Sequence, residues 1–138
     1  METLRQQLIR HEGLRLEVYE CSNGYKTIGV GRNIQTNGIT EDEAHLMLDN
    51  DIKRSAAEME SFSWWEELDQ VRKDCLINMV FNLGLPTFKK FKGMLSAIEN
   101  KDFQLASLEM LDSRWAKQVK GRSKELSEQM RTGQRQDG

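Results

Sequence analysis

The sequence predicts an α+β fold in which a small N-terminal lobe, made of a helix and a β-hairpin, is joined by a long helix to a helical C-terminal lobe. Two observations predict this arrangement. β-Branched and aromatic residues surround a turn signal at positions 16–30, whereas helical spacing of apolar residues dominates elsewhere. A chain of 138 residues, of which 38% are hydrophobic, can bury one core but is too short for two independent domains.

The N-terminal lobe is expected to span residues 1–40. Leu4 and Leu8 lie about one helical turn apart, and the helix they predict ends at Gly13, because glycine tolerates a positive φ. The next segment, LEVYECSNGYKTIGV at 16–30, has a Ser-Asn-Gly turn at its middle. This pattern is typical of a β-hairpin.

The connecting helix is expected at residues 41–61. Thr40 precedes Glu43 by three positions, which is the spacing of a capping box, and apolar residues then recur at helical spacing for about 20 residues. A helix of that length in so short a chain indicates a connection between two lobes.

The C-terminal lobe is expected to span residues 62–132 and to be helical. One apolar stripe at helical spacing is formed by Leu68, Val71, Cys75, Met79 and Leu83. Shorter helices are predicted to begin at the candidate caps Thr87 and Asp102, and the polar tail at 133–138 is expected to fray.

Composition argues against several classes of protein. Cys21 and Cys75 are far apart and lack neighbours at metal-ligand spacing, so no disulfide framework, metal site or cofactor is predicted. No apolar run approaches the roughly 20 residues that span a bilayer, and the start of the chain lacks a signal-peptide pattern, so we expect a cytoplasmic protein. The formal net charge is −2, and the basic residues of the last third favour a solvated helix face over nucleic-acid binding.

Three polar residues are candidates for chemistry because the predicted hairpin would bring them together. Glu12 lies at the end of the first predicted helix, and Cys21 and Thr27 lie on the two facing strands. Taken alone, Glu12 is more simply explained as a helix-end acid in solvent. Together, the three side chains are predicted to border one cleft.

At these positions the sequence resembles a known family. HEGLRL at 11–16 and GYKTIGVG at 24–31 look like the active-site segment of phage T4-type lysozymes. The resemblance continues in the family's order through LINMVFNLG at 76–84, SRW at 113–115, Gln118, Arg122 and RTG at 131–133.

The resemblance implies a two-lobed lysozyme-like fold that hydrolyses the β-1,4 bond between N-acetylmuramic acid and N-acetylglucosamine in bacterial peptidoglycan. Glu12 would be the general acid, and it would hold its proton through partial burial. Cys21 would be the base that activates a water oriented by Thr27, which is the role we favour, or a nucleophile. A passive role as a small buried hydrophobic residue is the third alternative. A free thiol is mostly protonated at neutral pH, so activity is expected to favour more alkaline pH than an Asp in this place would allow. Arg122 would approach Glu12 from the other lobe.

The resemblance also implies a biological setting. An endolysin of this kind would act as a monomer and stay in the host cytoplasm until a separate membrane pore admits it to the periplasm and cell wall. Two rivals remain open: a non-catalytic glycan-binding or phage structural protein on the same fold, and a lytic transglycosylase, which also uses one Glu.

The sequence departs from the family pattern at three places, of which the first bears on the chemistry and the other two are expected to be peripheral. The family commonly has an Asp where this chain has Cys21, a His where it has Arg32, and a longer stretch where it has residues 33–38. Glu20 is the obvious substitute carboxylate. Because side chains alternate along a strand, Glu20 should point away from the face of Cys21 unless a bulge intervenes.

The resemblance assigns further positions less directly. Those aligned with sugar contacts are Asn33, Phe81, Met94 and Glu109, and those aligned with supporting residues are Arg122, Gly29, Gly31, Asn82, Trp115 and Gln118. Among the sugar contacts, Phe81 alone keeps the family's residue type. Met94 is equally well explained as core and Glu109 as a solvated helix face, while Gly29 and Gly31 are explained by backbone conformation or close approach.

Overall fold

A computed structural model of the chain describes residues 1–136 and confirms the α+β class. It is mostly helical, with one small antiparallel sheet near the N-terminus. Contacts divide the chain into a first unit, Met1–Met47, and a second unit that begins at Leu48. The boundary between the units falls within the long helix.

The first unit contains a three-stranded sheet with short helices around it. Its elements are α1 (Leu4–Glu12), β1 (Arg15–Glu20), β2 (Lys26–Gly29), β3 (Arg32–Asn33), α2 (Ile34–Asn37) and the start of α3 (Glu41–Met59). The strands lie in the order β1-β2-β3, and both pairs are antiparallel. The strand β3 and the helix α2 were not predicted, because a two-residue strand and a four-residue helix leave no periodic pattern in the sequence.

Local capping explains where the helices of the first unit begin and end. Gly13 follows α1 with φ at +78°, but its ψ of 158° differs from the left-handed helical conformation that a glycine at this position can take. The capping box of α3 is confirmed: Thr40 N donates to Glu43 Oε1 at 2.8 Å, and Glu43 N donates to Thr40 Oγ1 at 3.2 Å. The helix ends at Met59, two residues earlier than predicted, since the chain turns there and Phe62 N donates to Met59 O at 3.1 Å.

The second unit is a cluster of helices. After a 3₁₀ turn at Trp65–Glu67 come α4 (Gln70–Leu83), α5 (Leu85–Phe88), α6 (Lys92–Glu99), α7 (Phe103–Leu111), α8 (Arg114–Gln118) and α9 (Lys120–Thr132). Asp102 caps α7 as predicted, its side chain accepting from Leu105 N. The prediction for Thr87 was wrong: it lies inside α5, which begins one residue before Pro86, a residue suited to the first helical turn.

The core lies in the second unit. Its fully buried side chains come from the end of α3 and from α4, α5, α6, α7 and α9, and they include Met59, Phe88, Leu76, Met79, Ile98, Met110 and Leu126. Arg72 ties α4 to α9, because its Nε donates to Met130 O at 2.6 Å and its Nη2 to Arg131 O at 3.0 Å. Within residues 1–136, no helix combines the length and the apolar character needed to cross a membrane.

Candidate active site

Glu12 is the last residue of α1, and its side chain is exposed. Its carboxylate lies directly against Gly31: a Cβ added to that glycine would stand 2.7 Å from Glu12 Oε2 and 3.0 Å from its Cδ. Gly31 also has a φ of +66°, which side-chain-bearing residues rarely adopt. The Glu12 carboxylate therefore packs against the turn between β2 and β3. The partial burial expected for Glu12 is not observed, since the residue is exposed.

Cys21 and Thr27 lie on the same face of the hairpin. Tyr19 pairs with Thr27, and Cys21 N donates to Tyr25 O at 3.0 Å, so the pairing continues past the end of β1. The side chains at 21 and 27 are thus diagonal neighbours. Thr27 is only 2% exposed, and its hydroxyl donates to Tyr25 O at 2.9 Å.

The surroundings of the Cys21 sulfur favour its thiolate form. The backbone of Asn23, then that of Tyr25, and the Thr27 side chain lower the pKa of the Cys21 thiol below its usual value. A hydroxyl has a single proton, so Thr27 can serve Tyr25 O or a thiolate but not both at once. Because the pKa of the Cys21 thiol is lowered, activity should shift less towards alkaline pH than it would with an unperturbed cysteine.

Glu20 does not replace the missing carboxylate on that face. It pairs with Lys26 in the sheet, and its Oε1 accepts from Lys26 Nζ at 2.9 Å on the exposed side of the hairpin. The sheet does contain an irregularity, but that bulge lies between Arg15 and Tyr19, upstream of both residues. The prediction that Glu20 points away from the Cys21 face is confirmed.

Four of the remaining candidates line one cavity of about 400 Å³ in the second unit: Met94, Glu109, Trp115 and Gln118. Met94 is only 1% exposed, which supports its interpretation as a core residue. The carboxylate of Glu109 is half-buried and lies against Gly93, where an added Cβ would stand 2.6 Å from Oε2. Glu109 is therefore not a fully solvated helix residue.

Trp115 and Asn82 support this part of the second unit. Trp115 is buried, and its Nε1 donates to Asn82 Oδ1 at 2.8 Å, which joins α8 to α4. Gln118 is exposed at the end of α8.

Phe81 and Arg122 line a second cavity of about 380 Å³. Phe81 is 47% exposed. Arg122 Nε and Nη2 donate to Asn78 Oδ1 at 2.8 and 2.6 Å, so the side chain is held by α4. The approach of Arg122 to Glu12 stays a prediction.

Two candidate residues of the first unit, Asn33 and Gly29, have structural roles. Asn33 caps α2, its side-chain oxygen accepting from Thr36 N at 3.1 Å, so that oxygen is engaged within the fold. Gly29 has a φ of +72° with open space around it, so conformation alone accounts for glycine there. Residues 1–136 contain no group of three His, Cys, Asp or Glu side chains placed to hold a metal ion.

Comparison with known proteins settles the family. The phage lysozyme family model matches residues 9–133. The chain belongs to the phage lysozyme family. Relatives include the pre-baseplate central spike protein Gp5 of Enterobacteria phage T4, which is 31% identical over 95% of this chain and 28% of its own length. A probable T4-type lysozyme of Dictyostelium discoideum is 28% identical over 96% of both chains, and the endolysin of Salmonella phage P22 is 31% identical over 73% of both.

Family membership and the endolysin relatives support a peptidoglycan hydrolase of the lysozyme type. The chain spans only about a quarter of the T4 spike protein. The alignment with the Dictyostelium protein covers 163 positions, more than the 138 residues of this chain, so that relative contains segments that this phage lysozyme lacks.

Two partners of the candidate site residues carried no signal of their own in the sequence. Asn78, which holds Arg122, lies within a family motif but was assigned no role. The carbonyl of Tyr25, which accepts from both Cys21 N and Thr27 Oγ1, is backbone, and backbone groups leave no residue-specific signal.

The two thiols of this chain are expected to react very differently. Cys75 is fully buried, its Sγ donates to Leu126 O at 3.2 Å, and desolvation raises the pKa of its thiol to about 12. Iodoacetamide at neutral pH should alkylate Cys21 in the folded protein and spare Cys75, as peptide mapping by mass spectrometry would show. Denaturant should expose both thiols. Equal labelling of the two in the folded state would contradict the assignment.

Proposed function

We propose that this chain is a muramidase that hydrolyses the β-1,4 bond between N-acetylmuramic acid and N-acetylglucosamine, with Glu12, Cys21 and Thr27 as its catalytic residues. The observation that carries the proposal is that Cys21 and Thr27 share one face of the small sheet whose β2–β3 turn supports Glu12. A proton donor and a second group that assists attack are the two components that glycoside hydrolysis requires.

Glu12 is the proton donor in this proposal. Its carboxyl is exposed at the end of α1, and the glycine beneath it lets the backbone approach closely. A glycan lying over the β2–β3 turn would exclude water from the carboxyl, and this desolvation would favour the protonated form that a general acid needs.

Cys21 acts as the base in this proposal. The hydrogen bonds that lower the pKa of its thiol increase the fraction present as thiolate at neutral pH. The thiolate would take a proton from a water bound by the Thr27 hydroxyl, and that water would attack the anomeric carbon on the face opposite the acid. This course inverts the anomeric configuration.

A nucleophilic role for Cys21 is the alternative chemistry. The sulfur would then bond to the anomeric carbon as the leaving oxygen takes the proton of Glu12, and water would later break the thioglycoside with retention. The anomer released first distinguishes the two courses.

The biological role that we propose is host-cell lysis by a phage endolysin. The 31% identity to the endolysin of Salmonella phage P22 supports it. In this role the protein acts on peptidoglycan as a monomer, remains in the host cytoplasm until a separate pore admits it to the wall, and binds no nucleic acid. A phage structural role is the second candidate, and the 31% identity to a baseplate spike protein favours it.

Product analysis tests the reaction. The purified chain should release fragments from peptidoglycan that end in a reducing N-acetylmuramic acid and have gained one water per bond cleaved, as mass spectrometry would show. Fragments that end in an anhydro sugar, lighter by one water, would identify a transglycosylase instead. Intact glycan strands after prolonged incubation, with tight binding in a sedimentation assay, would identify a binding or structural protein.

A further inference from the structure

We propose that Arg32 and Glu43 are positioning residues for the hydrolysis, acting together as an ionic clasp that fixes the β2–β3 turn beneath Glu12. The inference rests on the proposed function, because it concerns the placement of the proposed acid. Neither residue is assigned to the site by the resemblance, and Arg32 stands where the family commonly has a His.

The clasp is a two-point contact between β3 and the first turn of α3. Arg32 Nη1 donates to Glu43 Oε1 at 2.7 Å, and Nη2 donates to Oε2 at 2.6 Å. Nη1 also donates to Gly38 O at 3.2 Å. The guanidinium therefore holds both the start of α3 and the end of the connection before it. Such a fork fixes orientation as well as distance.

The Glu43 carboxylate connects helix α3, on which it lies, with strand β3 and with the residue that caps α3, Thr40. Its Oε1 accepts from Arg32 Nη1 and from Thr40 N, so the capping box of α3 and the clasp share an atom. Residues 33–38 form the short connection that stands where the resemblance implies a longer stretch. The clasp links the residue before this connection to the first turn of the helix after it.

The contact reaches Glu12 through a single peptide unit. Arg32 directly follows Gly31, and the Cγ, Cδ and Oε2 atoms of Glu12 lie against the position of a Gly31 Cβ, at 3.1, 3.0 and 2.7 Å. A shift of β3 would move this surface and the carboxylate with it. The same strand pairs Asn33 with Thr27 and Arg32 with Ile28, so Thr27 is braced from the same side.

The clasp is charged throughout the working range of an enzyme. The Arg32 guanidinium, followed by the Thr40 backbone, lowers the pKa of the Glu43 carboxyl to about 2. Glu43 in turn raises the pKa of Arg32. Above pH 4 both groups are ionised, so pH changes in this range leave the clasp intact and a test must break it by substitution.

A double-mutant cycle tests the clasp. Glu43→Gln keeps a side chain that can cap α3 but removes the charge, and Arg32→Gln removes the fork from the other side. Each variant should lower kcat on soluble peptidoglycan fragments by about 10-fold, since small displacements of a catalytic group are costly. KM should stay within about twofold, and the double variant should lose no more than either single one.

A matched control separates positioning from general stability. Glu128 forms an equivalent fork with Arg131 in α9, with Nε and Nη2 donating to its two oxygens at 3.2 and 2.6 Å. Glu128→Gln should leave kcat unchanged. All rates are compared at equal folded fraction, measured by circular dichroism, and Arg32→Lys, which keeps the charge without the fork, should restore part of the lost kcat.

The outcomes separate this inference from the proposed function. Normal kcat in Glu43→Gln, or a loss of kcat that Glu128→Gln reproduces, would overturn the clasp while leaving hydrolysis intact. A loss that appears only in KM would also overturn it. A wild-type chain without hydrolysis would remove the proposed function itself.

Discussion

Glu12→Gln should lower the rate of peptidoglycan hydrolysis by about 10²- to 10⁴-fold, the contribution expected of a general acid. Glutamine keeps the shape of the side chain but has no proton that it can give to the leaving oxygen. The substitution should not unfold the protein, because the side chain is exposed at the helix end. The fall in turbidity of permeabilised Gram-negative cells measures the rate.

Glu17→Gln is the matched control for this experiment. Glu17 is an exposed carboxylate on β1 of the same sheet, and losing its charge should leave the rate unchanged. A Glu12→Gln variant that lyses cells as fast as the wild type would show that the acid lies elsewhere. If both variants slow lysis equally, the effect is one of net charge and not of proton transfer.

The sequence could predict those parts of the fold that depend on neighbouring residues. The start of α3 was predictable because a capping box is a contact between residues three positions apart. The shared face of Cys21 and Thr27 was predictable because alternation along a strand, combined with a turn at 22–24, fixes which side chains lie on the same side of a hairpin.

Features that depend on distant or very short contacts could not be predicted. The clasp joins residues 32 and 43 across a connection whose internal helix has four residues, and no local pattern indicates such a pairing. The placement of Glu12 on Gly31 depends on the φ of +66° at that glycine and on the path of α1. Thr87 is not a cap because Pro86 before it favours the first helical turn, so that α5 begins ahead of Thr87, at Leu85.

Cys21→Ala should lower the rate by about 10²-fold at neutral pH, because the water would lose its base while Glu12 and the glycan surface remain. Alkylation of Cys21 by iodoacetamide should have the same effect. Cys75→Ala, which removes the buried thiol, is the control and should retain the activity at equal folded fraction. Full activity in Cys21→Ala would exclude a catalytic role for the sulfur.

Cys21→Asp should move the acid limb of the pH profile to lower pH. A base works only when deprotonated, so the wild-type rate should rise as pH increases through the pKa of the Cys21 thiol, which the hydrogen bonds from Asn23 and Tyr25 lower. An Asp is ionised above about pH 3.9 in water, so the variant should outperform the wild type most at pH 5 and lose that advantage as the thiol ionises. Rates measured from pH 4.5 to 9 would show this crossover. An identical pH profile for both proteins would mean that the acid limb reports the ionisation of another group. A wild-type product released with retention of the anomeric configuration would assign the sulfur as the nucleophile.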